Sequence, residues 1–325
     1  MRHVTLLVCG AVLLCGCGGG GKAGDRQFVS IGTAPVGGVF YTFGGALAEV
    51  LNTSMTDQDW RFTAESTGGS MENIRRLGQG DLQLAICNSS ISYFAKRGEE
   101  GWEAPQDICA VMTLFANVAM FVARRDDGIG SIEDLRGKRV AVGPEGAGFE
   151  FFIRPLLAAH GLTYDDFSDV YAAQQQCVDQ LGDGSIAAAF LGGGVPTPAI
   201  VSASASMDIL LIPYGEEQRK KLVADYPFFD FATIPADTYA GQSEEFKGLN
   251  VGSAHLVCSG GADEDFVYMV TKTLWEQRSL VAEKHGAGRA INPKVVVRST
   301  GIPFHPGAIR FYREAGIWPQ GQESQ

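Results

Sequence analysis

The sequence predicts an α/β fold in two lobes, each a mainly parallel sheet flanked by helices, with the lobes joined by two crossing strands. Three observations carry that expectation. Strand and helix patterns alternate from Gln27 onward, as in sheets covered by helices. Glycine-rich turns recur where apolar strands give way to helices. The chain has 325 residues, 45% of them hydrophobic, which suits two medium cores better than one.

The first strand, Phe28-Val29-Ser30-Ile31-Gly32, breaks and reopens through Gly37-Gly38-Val39-Phe40-Tyr41-Thr42-Phe43 into the helical pattern Ala46 to Leu51. A helix mouth of this kind leaves backbone N–H groups unpaired at the positive end of the helix dipole. It holds anions or carboxylates, and its glycines let a ligand approach the backbone. Arg61 to Glu65 reads as the next strand. Ser66-Thr67-Gly68-Gly69-Ser70 then opens a helix through Asn73, Ile74 and Leu77, which Gly78-Gln79-Gly80 closes ahead of the strand Leu82 to Cys87. Two long apolar strands follow, Ile108 to Phe115 and Val118 to Arg124. Asp126-Asp127-Gly128-Ile129-Gly130 breaks the pattern and is expected to be the first crossing.

The second lobe is expected to open on a capped short helix, Ser131-Ile132-Glu133-Asp134, and the strand Lys138 to Val142. That strand turns through Gly143-Pro144-Glu145-Gly146-Ala147-Gly148 into the helix Phe149 to His160. Ala172 to Leu181 is helical, and the buried strand Ile186 to Leu191 ends in Gly192-Gly193-Gly194-Val195-Pro196, a fourth turn of the same kind. Residues 209–239 give a strand, a charged helix from Glu216 to Ala224 and a segment rich in proline and aromatics. Val251 to Cys258 is the strand that crosses back. A long helix from Asp263 to Lys284 and a last one from Ala308 to Ala315 close the chain. The expected division is 27–125 with 251–325 for one lobe and 126–250 for the other.

Residues 1–16 read as an export leader, with Arg2, an apolar stretch from Val4 to Leu14 and small residues after it, too short to span a bilayer. Leu14-Cys15-Gly16-Cys17 resembles the bacterial lipobox. That makes Cys17 the lipidation site and residues 17–26, with Gly18 to Gly21, a flexible tether. The expected location is periplasmic or extracytoplasmic, with a lipid on Cys17 as membrane anchor. The net charge of -11, with no basic patch, excludes nucleic acid as a partner. Past Cys17 the cysteines are Cys87, Cys109, Cys177 and Cys258. Export permits disulfides in any of three pairings, and buried free thiols fit the apolar runs equally well.

Glycine-rich mouths at the carboxyl ends of strands in both lobes make a cleft of the kind in which open α/β sheets bind ligands. Donors on separate lobes can grip one anion only when the lobes approach, so binding and closure are coupled.

Five segments, in order, closely resemble the TAXI family of TRAP transporter solute-binding subunits. They are Ser30-Ile31-Gly32-Thr33 with Gly37-Gly38-Val39-Phe40-Tyr41; Thr67-Gly68-Gly69-Ser70-Met71-Glu72-Asn73; Asp134 to Gly143; Gly193-Gly194-Val195-Pro196-Thr197-Pro198-Ala199; and His305 to Glu314. The resemblance spans roughly residues 27 to 317. It implies a periplasmic-binding-protein fold of type II and a receptor that captures a small organic anion, a dicarboxylate or an amino acid such as glutamate. The captured ligand would pass to a TRAP-type membrane permease.

On the matching positions the expected ligand-binding residues are Gly38, Val39 and Tyr41; Thr67, Gly69, Ser70 and Asn73; Gly146 and Gly148; and Gly194, Val195 and Pro196. Asn88 and Ser89, at the end of the Leu82 to Cys87 strand, are further candidates. The family commonly carries Gly-Ser-Gly-Thr where this chain has Gly146-Ala147-Gly148-Phe149. Phe149 is therefore either a wall for a bulkier, more apolar acid or a core residue. Arg75 and Arg76 suit a solvated helix face better than a ligand clamp.

No enzyme is expected. Gly16 to Lys22 nearly matches a phosphate-binding loop, but Ala23 follows where Ser or Thr is needed and no strand precedes it. The five histidines, His3, His160, His255, His285 and His305, have no metal-ligand spacing, and no cofactor is implied. His305, before Pro306, is expected to cap the last helix. Two rival readings share much of the pattern: an enzyme of transferase type on the same scaffold, and a sensor subunit that presents its ligand to a membrane kinase.

Overall fold

The computed structural model describes residues 27–36 and 38–320. The leader, Cys17, the tether and Gly37 lie outside the described residues. In chain order the elements are β1 (Gln27–Gly32), α1 (Val39–Ser54), β2 (Trp60–Glu65), α2 (Ser70–Gln79), β3 (Leu84–Asn88), α3 (Ser89–Arg97), β4 (Ile108–Phe115) and β5 (Val118–Arg124). Then come β6 (Arg139–Ala141), α4 (Glu150–Ala159), β7 (Ser168–Val170), α5 (Gln174–Asp183), β8 (Ala188–Gly193), α6 (Pro198–Ser206), β9 (Ile209–Leu211), α7 (Glu216–Asp225), β10 (Phe229–Ile234) and β11 (Phe246–Val251). Last are β12 (Ala254–Ser259), α8 (Glu264–Glu276), α9 (Arg278–Lys284) and α10 (Pro306–Glu314).

Two sheets result, one per lobe. The first runs β2-β1-β3-β12-β4, with β12 antiparallel to both neighbours. The second runs β10-β11-β5-β8-β6-β7, with β9 beside β5. It is mixed rather than mainly parallel: β8, β6 and β7 are parallel, while β5 is antiparallel to everything it pairs with.

Burial explains the local choices. The helix α1 buries Phe43, Leu47, Val50 and Leu51 along one stripe, and every residue of β4 is buried. The αL glycine Gly80 closes α2, and His305 caps α10 by accepting from the Gly307 N–H at 3.2 Å, as expected. The long helix expected over Asp263 to Lys284 is two helices meeting at Gln277. His255, the second residue of β12, is fully buried between Ser92 Oγ at 2.8 Å and Thr300 Oγ1 at 3.1 Å. Burial pushes its pKa down to about 3, so it is neutral.

The first crossing comes earlier than the expected break at 126. The strand β5 already belongs to the second sheet, so the chain changes lobe at Ala116-Asn117. Two fully buried strands read alike whichever sheet they join, so the apolar run carried no mark of the change. The return comes at Gly252-Ser253, between β11 and β12. The segment expected as one strand, Val251 to Cys258, breaks there.

The two crossings are tied to each other. The Asn117 N–H donates to Asn250 Oδ1 at 3.0 Å, the Val251 N–H to Asn117 O at 2.9 Å, and Asn250 Nδ2 to Ser253 Oγ at 2.9 Å. Arg298 also donates to Ser253 Oγ and pairs with Asp230 at 2.8 Å, joining the C-terminal segment to β10.

Candidate functional site

Six strand-to-helix turns converge between the lobes. The carboxyl ends of β1, β2 and β3 lead into α1, α2 and α3, and those of β6, β7 and β8 lead into α4, α5 and α6. On one flank the two sets touch. A Cβ placed on Gly148, whose φ is +84°, would come within 2.7 Å of Ile91 Cδ1 and 3.3 Å of Met71 Cγ, and one on Gly69 would face Ala147 O at 3.9 Å. Behind this contact Phe94 of α3 packs against Phe151 of α4 and Phe228, both with ring centroids 5.7 Å away, and Tyr93 packs on Phe228 at 5.2 Å. The lobes therefore meet along a buried aromatic seam. The turn before α1 and the turn before α6, by contrast, are solvated, with Val36 73% and Val195 38% exposed.

The expected residues divide along this line. At the α1 turn, the Gly38 N–H donates back to Pro35 O at 3.0 Å. The N–H groups of Val39 and Phe40 head the helix with no acceptor among the described residues. Phe40 turns inward onto Phe115 at 6.0 Å, while Tyr41 is half-buried and its hydroxyl has no partner among the described residues. At the α6 turn, Gly194 is half-buried and Val195 and Pro196, joined by a cis peptide bond, are exposed. Thr197 anchors that turn, its N–H donating to Tyr239 Oη at 2.9 Å and its Oγ1 to Gly194 O at 3.2 Å.

The second mouth is occupied by its own side chains. Thr67 Oγ1 accepts from the Gly69 N–H at 3.2 Å, and the Glu72 carboxylate accepts from the Gly68 N–H at 2.7 Å. Ser70 Oγ accepts from the Asn88 N–H at 2.9 Å. Asn73 is fully buried and donates Nδ2 to Thr33 O at 2.8 Å and to Ile86 O at 3.0 Å, lacing the ends of β1 and β3 together. Asn88 is likewise engaged. Its Oδ1 accepts from the Ser90 N–H and Oγ, and its Nδ2 donates to Gly252 O at 3.0 Å, while the Ser89 N–H donates to Ser253 O at 2.9 Å. Asn88 and the Ser89 N–H thus hold the first lobe to the crossing, Ser70 and Asn73 fasten strand ends within that lobe, and the buried Ser89 Oγ has no partner among the described residues.

The third mouth splits. Gly146 is exposed, whereas Gly148 is sealed under Ile91. Phe149, half-buried, packs on Phe152 at 5.2 Å and Phe190 at 6.4 Å and covers Gly143 at the edge of the core. Arg76 pairs with Glu65 at 2.7 Å and Glu72 at 3.6 Å, and Arg75 lies over Trp102, so neither reaches the cleft.

Three residues on the cleft turns escaped the sequence reading. Val36 and Tyr171, the latter 46% exposed, are large apolar or aromatic side chains left in water. Gln174 exchanges two hydrogen bonds with Gly192, at 2.9 and 3.2 Å, and so braces the α5 turn against the α6 turn. The only sequence cue was position, since β7 has just three residues and no apolar run. The turns themselves carry Glu72, Glu145 and Glu150 and neither Lys nor Arg. What these turns themselves offer an anion is backbone N–H groups, helix dipoles and hydroxyls rather than a cationic side chain.

The NMT1-like family matches residues 31–316. The chain belongs to that family. Among solved structures it is similar to the alkanesulfonate-binding protein SsuA from Xanthomonas axonopodis pv. citri bound to MOPS, at 16% identity over 90% of this chain and 84% of that one, with a TM-score of 0.51. It is also similar to a Xanthomonas citri protein bound to chloride ion (13% identity, 89% and 97% covered, TM-score 0.52) and to a Bordetella bronchiseptica RB50 protein (13%, 91% and 91%, TM-score 0.52). At these identities the likeness concerns the fold. The two sheets flanked by helices form the two-lobed periplasmic-binding-protein fold expected from the sequence.

Proposed function

We propose that this protein is an extracytoplasmic solute-binding protein that captures a small organic anion or amino acid between its lobes and delivers it to a membrane permease. The observation that carries the reading is the pair of solvated turns. There the N–H groups of Val39 and Phe40 and the hydroxyl of Tyr41, unengaged among the described residues, stand at the α1 turn, with Gly194, Val195 and Pro196 at the α6 turn on the other lobe. The MOPS-bound SsuA and the chloride-bound Xanthomonas citri protein share the fold with anions in place, which supports an anionic group on the ligand.

The ligand-binding set is then Gly38, Val39, Tyr41, Gly146, Gly194, Val195 and Pro196, joined by Val36 and Tyr171. With one helix mouth free on the first lobe and no cation on any turn, a single carboxylate is accommodated better than two. Monocarboxylates and zwitterionic amino acids should therefore bind ahead of dicarboxylates. The motif set resembling the TAXI family supports a TRAP-type permease as partner, and the lipobox resemblance supports a lipid anchor at Cys17.

The likeness in fold to SsuA, an alkanesulfonate-binding protein, supports binding without turnover. The imidazole with hydroxyl neighbours, His255 with Ser92 and Thr300, is sealed in the first lobe and carries no carboxylate partner among the described residues. Mass spectrometry of small molecules released from natively purified protein tests the reading, with a thermal-shift panel of carboxylates and amino acids beside it. One retained acid or one stabilising class is expected. No released compound together with a flat panel would overturn it.

A further inference from the structure

Cys109 of β4 and Cys258 of β12 stand directly opposite one another in an antiparallel ladder. Two residues along, the Gly260 N–H donates to Asp107 O at 2.9 Å. By the alternation of such ladders, 258 and 109 are also a hydrogen-bonded pair, with Cα atoms about 5.5 Å apart. Disulfides span Cα separations of roughly 4.4–6.8 Å. The other two thiols among the described residues are excluded by the topology. Cys87 faces His255 on the opposite edge of β12, three residues from Cys258, and Cys177 is in α5 of the second lobe. All four are buried thiols in the structure.

We propose that Cys109 and Cys258 are a disulfide site that closes in the oxidising compartment implied by the export leader, while Cys87 and Cys177 remain thiols. The oxidant is another disulfide, either a small one such as oxidised glutathione or a disulfide-donating oxidoreductase. Cys109 is 8% exposed and Cys258 fully buried, so Cys109 reacts first. Its thiolate attacks one sulfur of the oxidant, and the other sulfur leaves and takes up the proton that Cys109 gave up. The Cys258 thiolate then attacks the Cys109 sulfur and expels the second thiol, which takes up the Cys258 proton. Two thiols are oxidised and one disulfide is reduced to two thiols.

Burial raises both thiol pKa values, so exchange in the finished fold is slow and the bond forms before β12 has fully docked. The Cβ atoms of a hydrogen-bonded pair lie at the wide end of about 4.5–5.5 Å, while a disulfide wants about 3.5–4.5 Å. Closing the bond therefore draws β4 and β12 together and leaves it readily reducible. The link encloses the whole second lobe. It fixes in the first lobe both chain segments that cross between lobes, Cys109 upstream of Ala116-Asn117 and Cys258 downstream of Gly252-Ser253.

The test is peptide mapping by mass spectrometry. The protein is refolded in a glutathione redox buffer and alkylated under denaturing conditions without reductant. A Cys109–Cys258 cross-linked peptide is expected, lighter by two hydrogens than its parts, with Cys87 and Cys177 alkylated. It should vanish in Cys258→Ser and on mild reduction. Alkylation of all four cysteines, or a cross-link to Cys87 or Cys177, would overturn the proposal. The wild-type map decides by itself should the variant fail to fold.

Discussion

The turn before α1 and the turn before α2 look alike in sequence: each is a pair of glycines at the end of a parallel strand, opening a helix. The structure gives them opposite tasks. Around α2 the N–H groups of Gly68 and Gly69 are met by Glu72 and Thr67, and Ser70 and Asn73 fasten strand ends. Around α1 no side chain among the described residues caps the helix, and Tyr41 stays partly in water. The same signature holds the framework in one place and leaves donors for a guest in the other. What separates them is whether polar side chains follow the glycines closely enough to satisfy them.

That contrast is easiest to break at Gly148, where the third mouth meets the framework side. Gly148→Val combines a left-handed backbone with a side chain driven into Ile91. A loss of about 3–5 kcal/mol in unfolding free energy is expected, or else separated lobes and a larger radius of gyration by X-ray scattering. Unchanged stability and scattering would mean that the seam is not closed in solution.

Next in size is Asn73→Ala, which strips a fully buried donor from the carbonyls of Thr33 and Ile86. Denaturant unfolding should show a loss of about 2–3 kcal/mol, with ligand affinity in the surviving folded protein close to that of wild type. A selective loss of affinity at unchanged stability would instead place Asn73 in the site.

A third check uses pH and concerns the framework alone. His255 is neutral when folded, with its pKa held at about 3, whereas the unfolded chain binds that proton near pH 6.5. Its contribution is therefore intact above about pH 6.5 and is lost progressively as pH falls toward 3, by up to about 1.4 kcal/mol per pH unit. His255→Asn should flatten that stretch of the stability profile, and an unchanged slope would contradict the assignment.

The architecture was largely legible beforehand because it rests on burial and on glycine, and both leave strong traces. The α1 stripe, the buried strands and the Gly80 stop are examples. The crossing at Ala116-Asn117 was not legible, since β4 and β5 are equally apolar and only pairing partners tell them apart. For the site, sequence could mark the turns but not the direction of a side chain. Asn73, Asn88 and Ser70 are polar residues at a cleft turn, and all three point into the frame. Tyr171 and Val36 are unremarkable in sequence and exposed on those same turns.

The central claim, that the α1 and α6 turns hold a small acid between them, is tested most directly by calorimetric titration of wild type and Tyr41→Ala with amino acids, monocarboxylates and dicarboxylates. One tight class led by singly carboxylated ligands is expected. In the variant it should weaken about tenfold, roughly 1.4 kcal/mol, at an unchanged apo melting temperature. Equal affinity in the two proteins, or dicarboxylates ahead of all others, would contradict it.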